Sequence, residues 1–185
     1  MLAHPILRSA LISGCSNAAG DLLCQCIRAR AAGNKEMRVN WQQTAWFGIV
    51  GLTLHGPYFY NAYRWLDTRF GTAATLQKAL VKTAAGQVTV FPVYIASFFG
   101  YMGLLEGLSP AQCVSKVQQA MAPTFMTGCL FWPVANTVNF MVVPPTGRVL
   151  FANGAGLIWN SWLSFENSTK GAVAAAAPGG SGSKR

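Results

Sequence analysis

Long uncharged stretches alternate with short charged ones along this chain. Val39–Tyr63 is 25 residues without Asp, Glu, Lys or Arg, Thr83–Leu105 is 23, Val117–Gly147 is 31 and Val149–Phe165 is 17. A helix that crosses a hydrocarbon core needs about 20 largely apolar residues. Three of the stretches reach that length and the fourth is marginal. A soluble domain of this size would have to bury three or four helices completely, with little polar surface left to cover them. In lipid every backbone N–H and C=O must pair within the protein, which leaves helices or closed barrels. Barrel strands alternate apolar and polar residues, and Gln87–Tyr101 runs through Val, Phe, Ile and Tyr without that alternation. The pattern predicts an all-α fold, a polytopic transmembrane bundle of four to five helices with one short interfacial amphipathic helix.

The first helix is expected from Pro5 to about Ile27, because Pro suits a first helical turn. Ala10, Gly14, Ala18, Asp21 and Gln25 recur on one face, a stripe of small residues ending in a polar patch. Small residues let helices approach closely in lipid. Only twelve uncharged residues separate Arg8 from Asp21, so this helix is half-inserted or packed inside the bundle. The second runs from Trp41 to Leu66, with a kink expected at Gly56-Pro57, and Asp67 opens the next loop. The third covers Lys78 to Gly107 and is broken or bent near Pro92. Ser109-Pro110 opens the amphipathic stretch Ala111–Met121, whose polar side carries Gln112, Ser115, Lys116 and Gln119 and which would lie in the membrane interface. The fourth spans Pro123–Val143 with a kink expected at Pro133 inside it, and Pro144-Pro145 ends it. Arg148 begins the fifth, which reaches Phe165. Residues 1–166 form one transmembrane domain on this reading. Residues 167–185, rich in Ala, Gly, Ser and Pro, form a disordered tail.

Charge adds to this picture without orienting it. Only 10% of the residues are charged and the net charge is +9. An excess of Lys and Arg beside apolar spans points to anionic lipid headgroups as partners. The basic residues are scattered among loops and form no run, which argues against nucleic acid. With five spans, the net charge summed over the loops is the same on the two sides, so it assigns no topology. The five cysteines form no CxxC pair and read as reduced thiols.

Material for catalysis is sparse. His4 and His55 lie far apart, the five acids sit mostly at expected loops, and no HExxH, Walker loop or GxSxG occurs. No catalytic, cofactor or metal residues are therefore assigned. Polar and ionisable residues within spans are more informative, because such groups are costly there and usually face an interior or a water-filled path. The candidates are Asp21, Gln25, Lys82, Gln87, Asn136, Asn139 and Arg148, with Asp21 as a partner for Lys82 or Arg148. They either fix the bundle by interhelical hydrogen bonds or line a solute path, and the residues alone leave both readings open.

An ordered set of short motifs accompanies these candidates. It begins with His4-Pro5, Gly20-Asp21 and Gln25, and continues with Gly56-Pro57, Tyr63, Leu66-Asp67, Lys82, Gln87 and Pro92. It ends with Trp132-Pro133, Asn139-Phe140, Val143-Pro144, Arg148, Trp159-Asn160-Ser161 and Leu163-Ser164. In this the chain resembles the Mpv-seventeen / peroxisomal membrane protein twenty-two family, small proteins of the mitochondrial inner membrane, the peroxisomal membrane and some plastids. The resemblance covers nearly everything up to Ser164. Departures are Tyr60 for the usual His, Ala62 for Trp, Gly86 for Asp and Asn136 for Gln.

The resemblance implies an organellar membrane protein without enzymatic activity, preferably of the mitochondrial inner membrane, with peroxisomal or plastid membranes as alternatives. It implies a channel or metabolite pore that supports mitochondrial homeostasis. The alternative is a non-catalytic accessory subunit of a larger inner-membrane complex, for which the Ala10–Gly14–Ala18 face would serve as a docking surface. A homo-oligomer or such a complex is the expected assembly.

Overall fold

A computed structural model describes residues 4–33, 38–72 and 74–159. Helix α1 spans Pro5–Ala31. It is followed by α2, Trp41–Val50, a π-helical segment, Gly51–His55, and α3, Gly56–Phe70, which form one continuous rod. Helix α4 covers Leu76–Leu105 and α5 covers Pro110–Val142. A 3₁₀ turn, Pro145–Gly147, leads into α6 over 148–159. No strand occurs among the described residues. The expected end of the fifth helix, the boundary at 166 and the tail lie outside them.

The helix ends follow from local sequence. Asn40 caps α2 by accepting the Gln43 N–H at 3.0 Å. At Ser109 both halves of a capping box form: the hydroxyl accepts the Gln112 N–H, and the Gln112 side chain accepts the Ser109 N–H at 2.8 Å. Gly71 and Gly107 take φ of +85° and +79° just beyond α3 and α4, a backbone region that side chains with a Cβ rarely enter.

Two expected breaks are absent. Ala111–Met121 is not a separate interfacial helix but the first third of α5, which runs unbroken through Pro123. The fixed φ of proline is itself helical, and long helices tolerate the missing N–H where hydroxyls and neighbouring helices serve the freed groups. Likewise α4 and α5 continue through Pro92 and Pro133. At Gly56-Pro57 the helical ladder changes type instead: the Gly56 N–H reaches back five residues to the Gly51 carbonyl, so the turn is widened where Pro57 supplies no donor.

Packing along α1 explains its small-residue stripe. A Cβ on Gly51 would lie 2.8 Å from Gly14 Cα, and one on Gly56 would lie 2.6 Å from Ala10 Cα, while Gly48 faces Ala18. The two backbones approach as closely as glycine allows, so this face is consumed inside the molecule and offers no docking surface. The core proper lies between α3, α4, α5 and α6, around Tyr63, Leu66, Ala79, Phe140, Val149 and Ala152.

Outward faces are apolar. Helices α4 and α5 are each long and apolar enough to cross a membrane, yet only 17% of the most apolar window of each is buried. Leu130 and Val142 are 78% and 75% exposed. Facing water, such surface would drive aggregation; facing lipid, it is the expected solvent contact.

Candidate functional site: a buried cation cluster beside a central cavity

Asp67 occupies the last turn of α3, not a loop. Gly56, Tyr63, Leu66 and Asp67 are buried while Arg64, Trp65, Thr68 and Arg69 are exposed. This is the periodicity of a helix with one buried face. Ending the helix at Leu66 hid this carboxylate from sequence reasoning. Carrying the 3.6-residue period one more turn from Gly56 and Tyr63 would have found it.

On that face Asp67 collects two cations. Lys82 Nζ on α4 donates to Asp67 Oδ1 at 3.0 Å, and Arg148 Nη1 on α6 donates to Oδ2. Lys82 has no exposed surface and Arg148 only 2%. The remaining faces of both cations rest on one aromatic ring: Lys82 Nζ lies 4.7 Å and Arg148 Cζ 5.1 Å from the Phe140 centroid. Asn139 Nδ2 donates to the Arg148 carbonyl at 3.3 Å, and Arg148 Nε reaches the Val143 carbonyl at 3.4 Å. Four helices thus converge on one carboxylate. The cluster has two positive groups and one negative group. Buried charges are tolerated only when paired and hydrogen-bonded.

Asp21 belongs elsewhere, so the pairing expected for it with Lys82 or Arg148 does not form. It is buried between α1 and α2, where it accepts from Gln25 Nε2 at 2.7 Å, Gln43 Nε2 at 2.5 Å and the Thr44 hydroxyl at 2.6 Å. Gln25 also accepts the Asn40 N–H at 2.7 Å. Asp21 and Gln25 pin α1 to the start of α2 and line no part of the cavity described next.

That cavity, about 220 Å³, lies between the helices and follows α4 from Lys82 to Phe99. Gln87 and Asn136 line it, together with Gly86 and Thr83. Asn136 accepts the Tyr63 hydroxyl at 3.2 Å, and Gln87 donates to Cys129 Sγ at 3.3 Å. Further along, His55 Nδ1 and the Tyr94 hydroxyl are 2.7 Å apart. The rings of His55, Phe59, Tyr94 and Phe98 succeed one another at 4.7, 4.8 and 5.9 Å between centroids. Of the sequence candidates, Lys82, Gln87 and Asn136 line the cavity. Asn139 and Arg148 stand behind its wall.

Residues 103–164 match the model of the Mpv17 / PMP22 family. Protein sym-1 of Neurospora crassa is 30% identical over 169 residues, covering 90% of this chain and 94% of that protein. The chain belongs to the Mpv17 / PMP22 family. PXMP2/4 family protein 4 of Dictyostelium discoideum is 29% identical over 166 residues, 90% of this chain and 88% of its own length. The mitochondrial inner membrane protein Mpv17 of Danio rerio is 28% identical over 167 residues, 90% and 92% of the two chains. No solved structure matches. Family membership makes this an organellar membrane protein of the mitochondrial inner membrane, the compartment that the Mpv17 relative of Danio rerio carries in its name, while the PXMP2/4 names fit the peroxisomal alternative.

Proposed function

We propose that this Mpv17 / PMP22 family member is a solute-passage protein, a channel or metabolite pore, with no catalytic step of its own. The observation that carries this reading is the cavity along α4. From Lys82 to Phe99, at 1.5 Å per residue, it follows the helix for about 25 Å, close to the roughly 30 Å of a hydrocarbon core. Its polar groups belong to helices whose opposite faces are apolar, the arrangement expected of a path through lipid. In this reading α4, α5 and the α2–α3 rod are full spans, the uncharged stretch that begins after Arg148 supplies a fourth, and α1 packs against the rod. Anionic lipids contact the basic residues at the helix ends.

The test is conductance. Purified protein in a planar bilayer should pass current in discrete steps, and silence across a range of voltages would sink the reading. The accessory-subunit alternative has lost its expected docking face, because Ala10, Gly14 and Ala18 pack against the glycines of the rod. Native-gel migration of solubilised membranes as a large hetero-complex would revive it.

A further inference from the structure

The charges around the cavity do not balance. Among the described residues three carboxylates occur, and two are committed far from the cavity: Asp21 to Gln25, Gln43 and Thr44, and Glu106 to Lys116 at the α4–α5 turn. Only Asp67 faces the Lys82–Arg148 pair. Among the described residues no acidic one lines the cavity, and Lys82 does. The ring of Phe140, which carries both cations on its surface, is itself part of the wall. Lys82 belongs to the wall but exposes no surface, so its charge reaches the cavity as a field, which a low-dielectric surrounding screens weakly.

The neutral groups at this end have spare donor capacity. Gln87 donates only to a thiol sulfur, a weak acceptor. Asn136, which lines the cavity, takes the Tyr63 hydroxyl on its oxygen, and its amide N–H₂ donates to no other described residue. A surplus buried cation together with amide donors that a better acceptor could claim is the chemistry that recognises a negative ion.

We propose that the Lys82 end of the cavity is a binding site for small anions of chloride to carboxylate size, and that the passage therefore prefers anions to cations. The proposal rests on the cavity being a solute path, and it deepens that reading by naming the charge of what passes. The volume suits the assignment, since a cavity of about 220 Å³ holds several waters or a small partly hydrated ion.

Gly86 supplies a clean perturbation. It lines the cavity one helical turn from Lys82, and a Cβ there would meet only Leu66 Cδ1, at 3.5 Å. Gly86→Asp therefore adds a carboxylate beside the surplus cation without a backbone clash. Lys82→Met reaches the same neutrality by removing that cation while keeping the Asp67–Arg148 pair. Thermal melting identifies a variant that has failed to fold, and the other then carries the comparison.

Two readouts are needed. The first is the reversal potential in a potassium chloride gradient across a planar bilayer. The second is quenching of Trp132, which lines the cavity, by iodide against caesium in detergent, taken as the difference from Trp132→Phe. The expected results are a chloride-to-potassium permeability ratio several-fold above one and stronger quenching by iodide, both falling to parity or below in Gly86→Asp and Lys82→Met. Current without anion preference, or preference unchanged by both variants, overturns the anion site and leaves the passage reading standing. No current, with iodide quenching that Gly86→Asp abolishes, supports the anion site and ends the passage reading. No current and no iodide preference overturns both.

Discussion

Asp67 and Arg148 stand 81 residues apart in sequence and form one buried ion pair, which ties the end of α3 to the start of α6. Removing one partner of a buried pair leaves an uncompensated charge and costs about 3–5 kcal/mol. Asp67→Asn leaves two cations facing each other and should be the most destabilising single change at the cluster. A fall in the thermal midpoint in detergent larger than for any neighbouring polar substitution is the expected measurement. A midpoint within a degree of wild type would show that the pair holds nothing together.

Gly51 and Gly56 touch the α1 backbone where nothing flexible can give way. Gly51→Ala and Gly56→Ala should each destabilise by about 1–3 kcal/mol through overpacking. Gly86→Ala, with only a side-chain methyl at 3.5 Å, should be neutral or slightly stabilising, because alanine is the better helix former by about 1 kcal/mol. Chemical denaturation of the three variants side by side checks the ranking.

Asp21 accepts two side-chain hydrogen bonds from α2, from Gln43 and Thr44, that hold α1 to it. Bonds to a charged acceptor contribute about 1.5–3 kcal/mol each, not additively. Asp21→Ala should raise hydrogen exchange throughout α1 and leave α4 and α5 protected. Uniform protection in the variant would argue against the staple.

Leu130 is the most exposed large apolar residue of α5. If that face meets lipid, Leu130→Lys should cost about 2.5–3.5 kcal/mol of insertion when the residue lies near the bilayer centre. Accessibility to a membrane-impermeant thiol reagent at Leu130→Cys offers a second check: labelling should occur only after detergent extraction.

Much of the fold was legible in the uncharged stretches, because the requirement to pair every backbone group in lipid leaves a helix as the answer to a long apolar run. The helix start at Ser109 was local and equally legible, whereas the stop at Gly71 was not: the helix was expected to end at Leu66 and runs one turn further. The course of the chain at prolines was not. A break was expected near Pro123, but whether the helix continues depends on what serves the carbonyls that proline frees, and that is a matter of neighbours.

The sequence by itself determined that this is an all-helical family member with costly polar residues inside apolar helices, since composition and spacing are properties of the chain alone. Only the tertiary structure decided which charges meet. Asp21 and Asp67 are the same functional group, each near the polar end of a helix, and no local signal separates them. Helix packing turns Asp21 toward Gln43 and Thr44 and turns Asp67 toward Lys82 and Arg148. A buried charge is stabilised by the groups within a few ångströms of it, and those groups come from helices that sequence order places far apart.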